Sequence, residues 1–268
     1  MQFKMPYREQ NSNKGTFGKV LALCGSDNYI GASYLACLSV LKIGAGLCAL
    51  TSTDRVIDSV SKMLPELVYL KREQGFRNIS NYTVLLIGCG LGQEKNSRKI
   101  FQRFMKNIPE DKPVVIDADG LNLLGANKGL KLSLRTVLTP HPLEASRLLG
   151  CSLEEILSDP AGAAKRLTEK YSCVTVLKMH RTIVCDRDFN IYINEHGNSA
   201  LAKAGTGDVL AGMIAGLLAQ GMSCFDASKL GVYLHSKCGE IASEDLTEYS
   251  VLASDLVKYL PKAIKELD

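Results

Sequence analysis

The chain has 268 residues, 46% hydrophobic and 22% charged, with a formal net charge of +4. That length carries a core without staples, and so small a charge, spread along the chain, excludes the dense basic stripe of a nucleic-acid groove. Nine cysteines without a C-x-x-C pair, most of them inside apolar runs, exclude a disulfide framework and a zinc site and read as small buried hydrophobes in a reducing compartment.

The start of the chain, MQFKMPYREQNSNKG, is polar, and the longest apolar stretches are broken by Lys42, Gln220 or Lys237, so the expectation is a soluble, cytoplasmic protein without a membrane segment. Apolar runs rich in Val, Ile and Leu predict strands at Lys19–Cys24, Leu47–Thr51, Thr83–Ile87, Val114–Asp117, Thr136–Thr139 and Cys173–Lys178. Helical patterns fall between them at Ala32–Ile43, Lys95–Lys106, Pro142–Gly150 and Ala161–Tyr171. Such alternation predicts a mostly parallel α/β sheet with helices on both faces. Thr182–Asp186 and Asn190–Asn194 read as an edge hairpin, and helices over roughly Thr206–Gln220, Phe225–Glu244 and Val251–Glu266 close the chain. No repeat or linker interrupts residues 1–268, so one domain is expected.

Ligands of open α/β sheets bind beyond the carboxyl ends of the strands, and unusual clusters fall there. Gly25-Ser26-Asp27-Asn28-Tyr29-Ile30-Gly31-Ala32 follows the first strand; it is not G-x-G-x-x-G, so no dinucleotide fingerprint is present. Gly88-Cys89-Gly90-Leu91-Gly92 has more glycine than a turn needs and predicts close approach of a bulky ligand. In Asp117-Ala118-Asp119 the carboxylates suit a metal, or Asp119 caps the next helix. His141, between Pro140 and Pro142, reads as a ligand contact, while Glu144 falls in a first helical turn where capping also explains it.

The run Lys203-Ala204-Gly205-Thr206-Gly207-Asp208 feeds a helix whose free N–H groups form an anion hole. Asp208 beside that hole would repel the anion in a pure binder. As a base that takes a proton from a hydroxyl attacking a phosphoryl group, it has a purpose. A dipole-favoured first-turn acid is the bland alternative.

In this order the clusters resemble the ribokinase-like superfamily and, within it, the NAD(P)H-hydrate dehydratases, from Lys14-Gly15-Thr16-Phe17-Gly18 to Tyr249–Asp255. The most specific pieces are Val115–Asn122, Leu138–Glu144 and Gly205–Gly212. The resemblance implies a ribokinase-like fold and removal of water from hydrated NADH or NADPH, with ADP (or ATP) as co-substrate and Mg2+ as cofactor. It implies hydrate contacts at Ala32, Gly90, Gly92, His141 and Asp208, with Asp208 catalytic. Nucleotide contacts are implied at Lys178, Met179, His180, Arg181, Thr182 and Gly207, and Glu144 as the acid that organises metal and water. It further implies a homotetramer and a separate epimerase partner. Asn13, Met179 and Ala204 depart from the family pattern, which usually has His, Gly and Gly there. A small-molecule kinase of the same fold and a non-enzymatic nucleotide-binding module are the alternatives; the first lacks the Asp117–Asp119 and Thr139–Glu144 motifs, and the second has no need of Asp208.

Overall fold

The computed structural model describes residues 3–127 and 129–267. Among the described residues nine strands form one sheet: β1 Lys19–Leu23, β2 Leu47–Ser52, β3 Val68–Lys71, β4 Val84–Ile87, β5 Val114–Ile116, β6 Thr136–Leu138, β7 Val174–Leu177, β8 Ile183–Cys185 and β9 Ile191–Ile193. Their order is β3-β2-β1-β4-β5-β6-β7-β8-β9. Neighbours from β3 through β7 are parallel, and β8 and β9 continue antiparallel as the expected hairpin. The helices are α1 Ile30–Lys42, α2 Asp54–Val60, α3 Arg72–Arg77, α4 Lys95–Lys106, α5 Asp119–Gly125, α6 Pro142–Leu149, α7 Leu153–Ser158, α8 Pro160–Tyr171, α9 Thr206–Ala219, α10 Cys224–Ser250 and α11 Ala253–Lys265.

Strands buried on both faces need no polar alternation, and the residues of β1 show why. Val20 and Ala22 point into a core shared with α1, α9, α10 and α11, while Leu21 and Leu23 point into a second core with α4, α5, α6 and α8. Helix α9 is almost wholly buried. It lies tight on α1 because a Cβ at Gly212 would stand 2.2 Å from the Ala36 carbonyl oxygen. Only glycine permits that approach.

The expected strands and the expected mostly parallel sheet are present. The segment 54–77, which carries α2, β3 and α3, and the short helices α5 and α7 lack a periodicity long enough to announce them. Asp119 does not cap α5: the N-cap is Ala118, and Asp119 is the first helical residue. The chain leaves β1 for β2 on one side and returns for β4 on the other, so the β1/β4 boundary is the point where the topology reverses. Ligand crevices in such sheets open there.

Candidate active site

Two regions meet at the carboxyl edge of the sheet. One is a cavity of about 740 Å³ between the β7–β8 turn, the loop before α9 and the body of α10, well within the range of nucleotide-sized pockets. His141, Lys178, Met179, His180, Thr182 and Gly207 line it, which brings most of the expected nucleotide residues together. Arg181 is exposed and is not among the lining residues. All four histidines of the chain, His141, His180, His196 and His235, face this one cavity. Its apolar wall comes from Leu201, Leu210 and Val232.

The N-terminus of α9 forms the floor. Gly205 caps it with φ +91°, and Gly207 leaves the helix backbone open, so that a Cβ there would stand 3.4 Å from Lys178 Nζ. Free N–H groups at this end favour an anion. His235 braces it from behind, its Nε2 2.9 Å from the Thr206 carbonyl. Burial lowers the His235 pKa to about 4, so a neutral ring donates that hydrogen bond.

The second region is a chain of charges beside the cavity. Asp117, 1% exposed at the end of β5, accepts the Thr139 hydroxyl at 2.7 Å and the Lys178 ammonium at 2.6 Å, both on Oδ1. Lys178 also reaches within 3.9 Å of Glu144. Burial works against its charge, but Asp117 and Glu144 outweigh burial and raise its pKa. Glu144 and His141 cap α6 reciprocally: His141 Nδ1 accepts from the Leu143 and Glu144 N–H groups, and Glu144 Oε2 accepts from the His141 N–H at 2.8 Å. His141, expected as a hydrate contact, is therefore both a wall of this cavity and a helix cap. Burial, then Lys178, lowers its pKa. Burial pushes Glu144 up to about 7, with Asp117 adding and Lys178 opposing.

Asp208 stands in the first turn of α9 next to Asp117. Among the described residues a Cys89 thiol, an Asp117 oxygen and an Asp208 oxygen lie within 4.8 Å of one another. Burial, then repulsion from Asp117, pushes the Asp208 carboxyl up to about 7. A carboxylate poised there exchanges protons readily at neutral pH. Cys89 stays a thiol, since its hydrogen bond with Cys24 and its burial push its pKa well up.

Glycines shape the crevice beyond Asp208. Gly90 has φ +63°, and a Cβ there would stand 2.8 Å from the Ala32 side chain and 2.7 Å from that of Tyr29. Gly92 is fixed by its N–H donating to Asp119 Oδ2 at 2.8 Å, and the Gln93 amide donates to the same carboxylate. Asp119 thus holds the glycine loop rather than a helix end. Ala118 makes this possible: its φ of +49° turns Asp117 inward and Asp119 toward the loop, a conformation that costs of order 1–3 kcal/mol for a residue with a Cβ.

The structure so brings Ala32 to Gly90, Asp208 to Asp117, and His141 and Gly207 to Lys178. Two features had no counterpart in the sequence reading. Asp117 is the common partner of Thr139, Lys178 and Asp208, and the loop 196–203 forms one cavity wall. The run of small polar residues His196-Gly197-Asn198-Ser199 between hairpin and helix was the signal for the second.

Mg2+ requires oxygen ligands in near-octahedral array. The cluster at Asp208 includes a thiol, Asp117 Oδ1 is taken by Lys178 and Thr139, and Glu144 Oε2 by a backbone N–H. These residues alone do not make an all-oxygen Mg2+ cage; they fit an ion whose remaining ligands come from a bound substrate, Glu144 being the carboxylate nearest to Lys178 after Asp117.

A family model described as NAD(P)H-hydrate dehydratase matches residues 20–262. The ADP-dependent (S)-NAD(P)H-hydrate dehydratase of Neisseria meningitidis is 35% identical over 88% of this chain and 81% of its own. A Bacillus subtilis ADP/ATP-dependent NAD(P)H-hydrate dehydratase, co-crystallised with ATP/Mg2+, superposes with a TM-score of 0.89 at 32% identity, covering 99% of this chain and 95% of that one. A ribokinase-like superfamily protein from Enterococcus faecalis gives a TM-score of 0.90 at 28% identity, covering 98% and 92%. The chain spans about half the length of the bifunctional NAD(P)H-hydrate repair enzymes among its relatives, 53% in the case of Thermofilum pendens. With the model matched over nearly the whole chain and the fold shared, this protein belongs to the NAD(P)H-hydrate dehydratase family.

Proposed function

We propose that the protein removes water from (6S)-hydrated NADH or NADPH, with ADP, or ATP in its place, as phosphoryl donor. The observation that carries this reading is Asp208, a carboxyl pushed up to about 7 at the N-terminus of α9, between the nucleotide cavity and the glycine crevice. The cavity takes the nucleotide, its phosphates meeting Lys178 and the free N–H groups near Gly207, with Met179, His180, Arg181 and Thr182 along the adenylate. Ala32, Gly90, Gly92 and His141 hold the hydrate. Mg2+, held on the phosphates with Glu144 behind a water, would neutralise charge on the moving phosphoryl group.

Asp208 takes the proton of the ring hydroxyl as its oxygen attacks the β-phosphorus of ADP, and AMP departs. The ring nitrogen lone pair then expels phosphate, and loss of a ring proton restores the dihydropyridine. One hydrate and one ADP give one NAD(P)H, one AMP and one phosphate. Hydroxide is a poor leaving group and phosphate a good one, which is why the donor is needed.

A homotetramer, a cytoplasmic setting and a separate NAD(P)H-hydrate epimerase complete the proposal. Relatives named as bifunctional repair enzymes support the pairing. No helix among the described residues is long and apolar enough to cross a membrane. The test is to mix the protein with hydrated NADH and ADP and follow reduced-nicotinamide absorbance together with phosphate and AMP. All three should rise one for one, and none without ADP. Phosphate without reduced nicotinamide would mean simple hydrolysis. A persistent phosphorylated product would mean a small-molecule kinase.

A further inference from the structure

Buried polar groups in folded proteins are almost always hydrogen-bonded, and each exception calls for an explanation. Among the described residues, the buried side-chain atoms without a partner are Ser26 Oγ, Thr51 Oγ1 and Arg72 Nε. They are not scattered. Ser26 lies three residues past Leu23 at the end of β1, Thr51 pairs with Leu23 across β1 and β2, and Arg72 lies two residues past Leu70, which pairs with Thr51 across β2 and β3. All three therefore stand at the carboxyl edge of three consecutive parallel strands.

The local packing brings them closer. Arg72 and Gly75 share one face of α3, three residues apart. A Cβ at Gly75 would stand 2.5 Å from Thr51 Oγ1, so this helix face lies directly on Thr51. On the other side is the loop after β1, where the Thr53 hydroxyl donates to Asp27 Oδ1 at 2.9 Å. Arg72 forms no hydrogen bond and no ion pair with the described residues, whereas Arg103 nearby takes Glu73 at 2.6 Å. Burial opposes its charge, and Asp27 only partly offsets this. A half-buried guanidinium without a hydrogen-bonded anion, at the same sheet edge as two unpartnered hydroxyls, is in want of acceptor oxygens.

We propose that Arg72 and Ser26, with the buried Thr51 hydroxyl beneath them, form a second anion subsite, which takes a phosphate of the dinucleotide on the side of the hydrate away from the reacting ring. This rests on the function proposed above and deepens it. The order of the sheet supplies the geometry. The nucleotide cavity lies toward β7 and β8, Asp208 and the glycine crevice lie at β5, β4 and β1, and Arg72 lies past β3. From β4 to β3 are three strand spacings, roughly 14 Å at about 4.8 Å each. A ring seated at Gly90 and Ala32, its ribose and the diphosphate cover most of that span, and the long Arg72 side chain reaching back from α3 covers the rest. The two phosphate-bearing substrates so approach Asp208 from opposite sides and do not compete for one hole. The shared ligand chemistry is a phosphate oxygen, either of the diphosphate bridge or of the 2′-phosphate that distinguishes NADPH.

The test compares wild type, Arg72→Gln and Arg72→Lys on three hydrates: of NADH, of NADPH, and of reduced nicotinamide mononucleotide, which lacks the adenylate half. Loss of a charged hydrogen-bond donor predicts a rise of roughly 10- to 100-fold in KM for the engaged substrate in Arg72→Gln. Arg72→Lys, which keeps the charge, should rise less, and KM for ADP should not move in either. An equal rise for both dinucleotide hydrates assigns the diphosphate; a rise for the NADPH hydrate alone assigns the 2′-phosphate. In either case the advantage of the engaged dinucleotide over the mononucleotide shrinks. Unchanged KM for both dinucleotides, or an equal loss on all three substrates, overturns the subsite. If wild type turns over no hydrate at all, the function itself fails, and the subsite is read by calorimetry with inorganic pyrophosphate on protein saturated with ADP. Binding that weakens in Arg72→Gln then upholds the subsite, and binding that is absent or unaffected overturns it.

Discussion

The two halves of the carboxyl edge are built differently. On the β6–β9 side the polar groups are satisfied before any ligand arrives: Lys178 is held by Asp117, His141 and Glu144 cap α6 reciprocally, and His235 braces α9. On the β1–β3 side Ser26 Oγ, Thr51 Oγ1 and Arg72 Nε have no partner among the described residues, and close approaches at Gly90 and Gly75 shape the backbone around them. The first half is preorganised by side chains that must exchange one partner for another, and the second by backbone geometry that waits for a ligand. Changes on the first side should therefore disturb folding together with ligand binding, and those on the second should act on the hydrate alone. Asp208 stands where they join.

The largest effect is expected at that junction. Asp208→Asn should lower turnover by roughly 10²–10⁴, the worth of a positioned base, while nucleotide still binds by calorimetry. Because the Asp208 carboxyl sits at about 7, well above its unfolded value, its charged form burdens the fold at pH 8. The same variant should raise Tm at pH 8 by about 2–5 °C, and the gain should vanish below the ordinary Asp range, where both states are protonated. Near-normal turnover would remove Asp208 from the chemistry.

Next in size is Lys178→Met, which strikes the satisfied half. It removes a cation from the cavity and leaves Asp117 buried and unpaired, a loss of about 3–5 kcal/mol in comparable cases. Denaturant unfolding should show that loss together with weakened ADP binding. Loss of ADP binding with unaltered stability would contradict the division drawn above.

The pH profile sharpens the role of the junction. Since the base must be deprotonated, kcat/KM for the hydrate should rise with pH, about tenfold per unit below about 7, and level off above it. An acid limb at the ordinary Asp value would mean that burial and Asp117 do not govern the working carboxyl.

The smallest effect is expected for His141→Ala. His141 is both a cap and a wall of the cavity, so about 1 kcal/mol of stability should go with the cap, and KM for the hydrate should rise. A stability loss with unchanged KM would leave His141 a cap alone.

The sequence by itself determined the sheet, because runs such as Val84–Ile87 and Val174–Leu177 are apolar at every position, and only strands covered on both faces are written that way. It also determined where the chemistry gathers, since glycine clusters after strands and a Gly-Thr-Gly-Asp turn are local signals that any fold of this kind places at the carboxyl edge. What it did not determine depends on contacts between distant segments. Asp119 has the residue type of a cap, but the strained Ala118 backbone turns it to Gly92, 27 residues away in the chain. Asp117 becomes a partner of Lys178 only when β5 and β7 lie in one sheet, 61 residues apart. The proton affinity of Asp208 follows from the same assembly: a first-turn aspartate in solution is an ordinary acid, and only burial beside Asp117 turns it into a base for neutral pH.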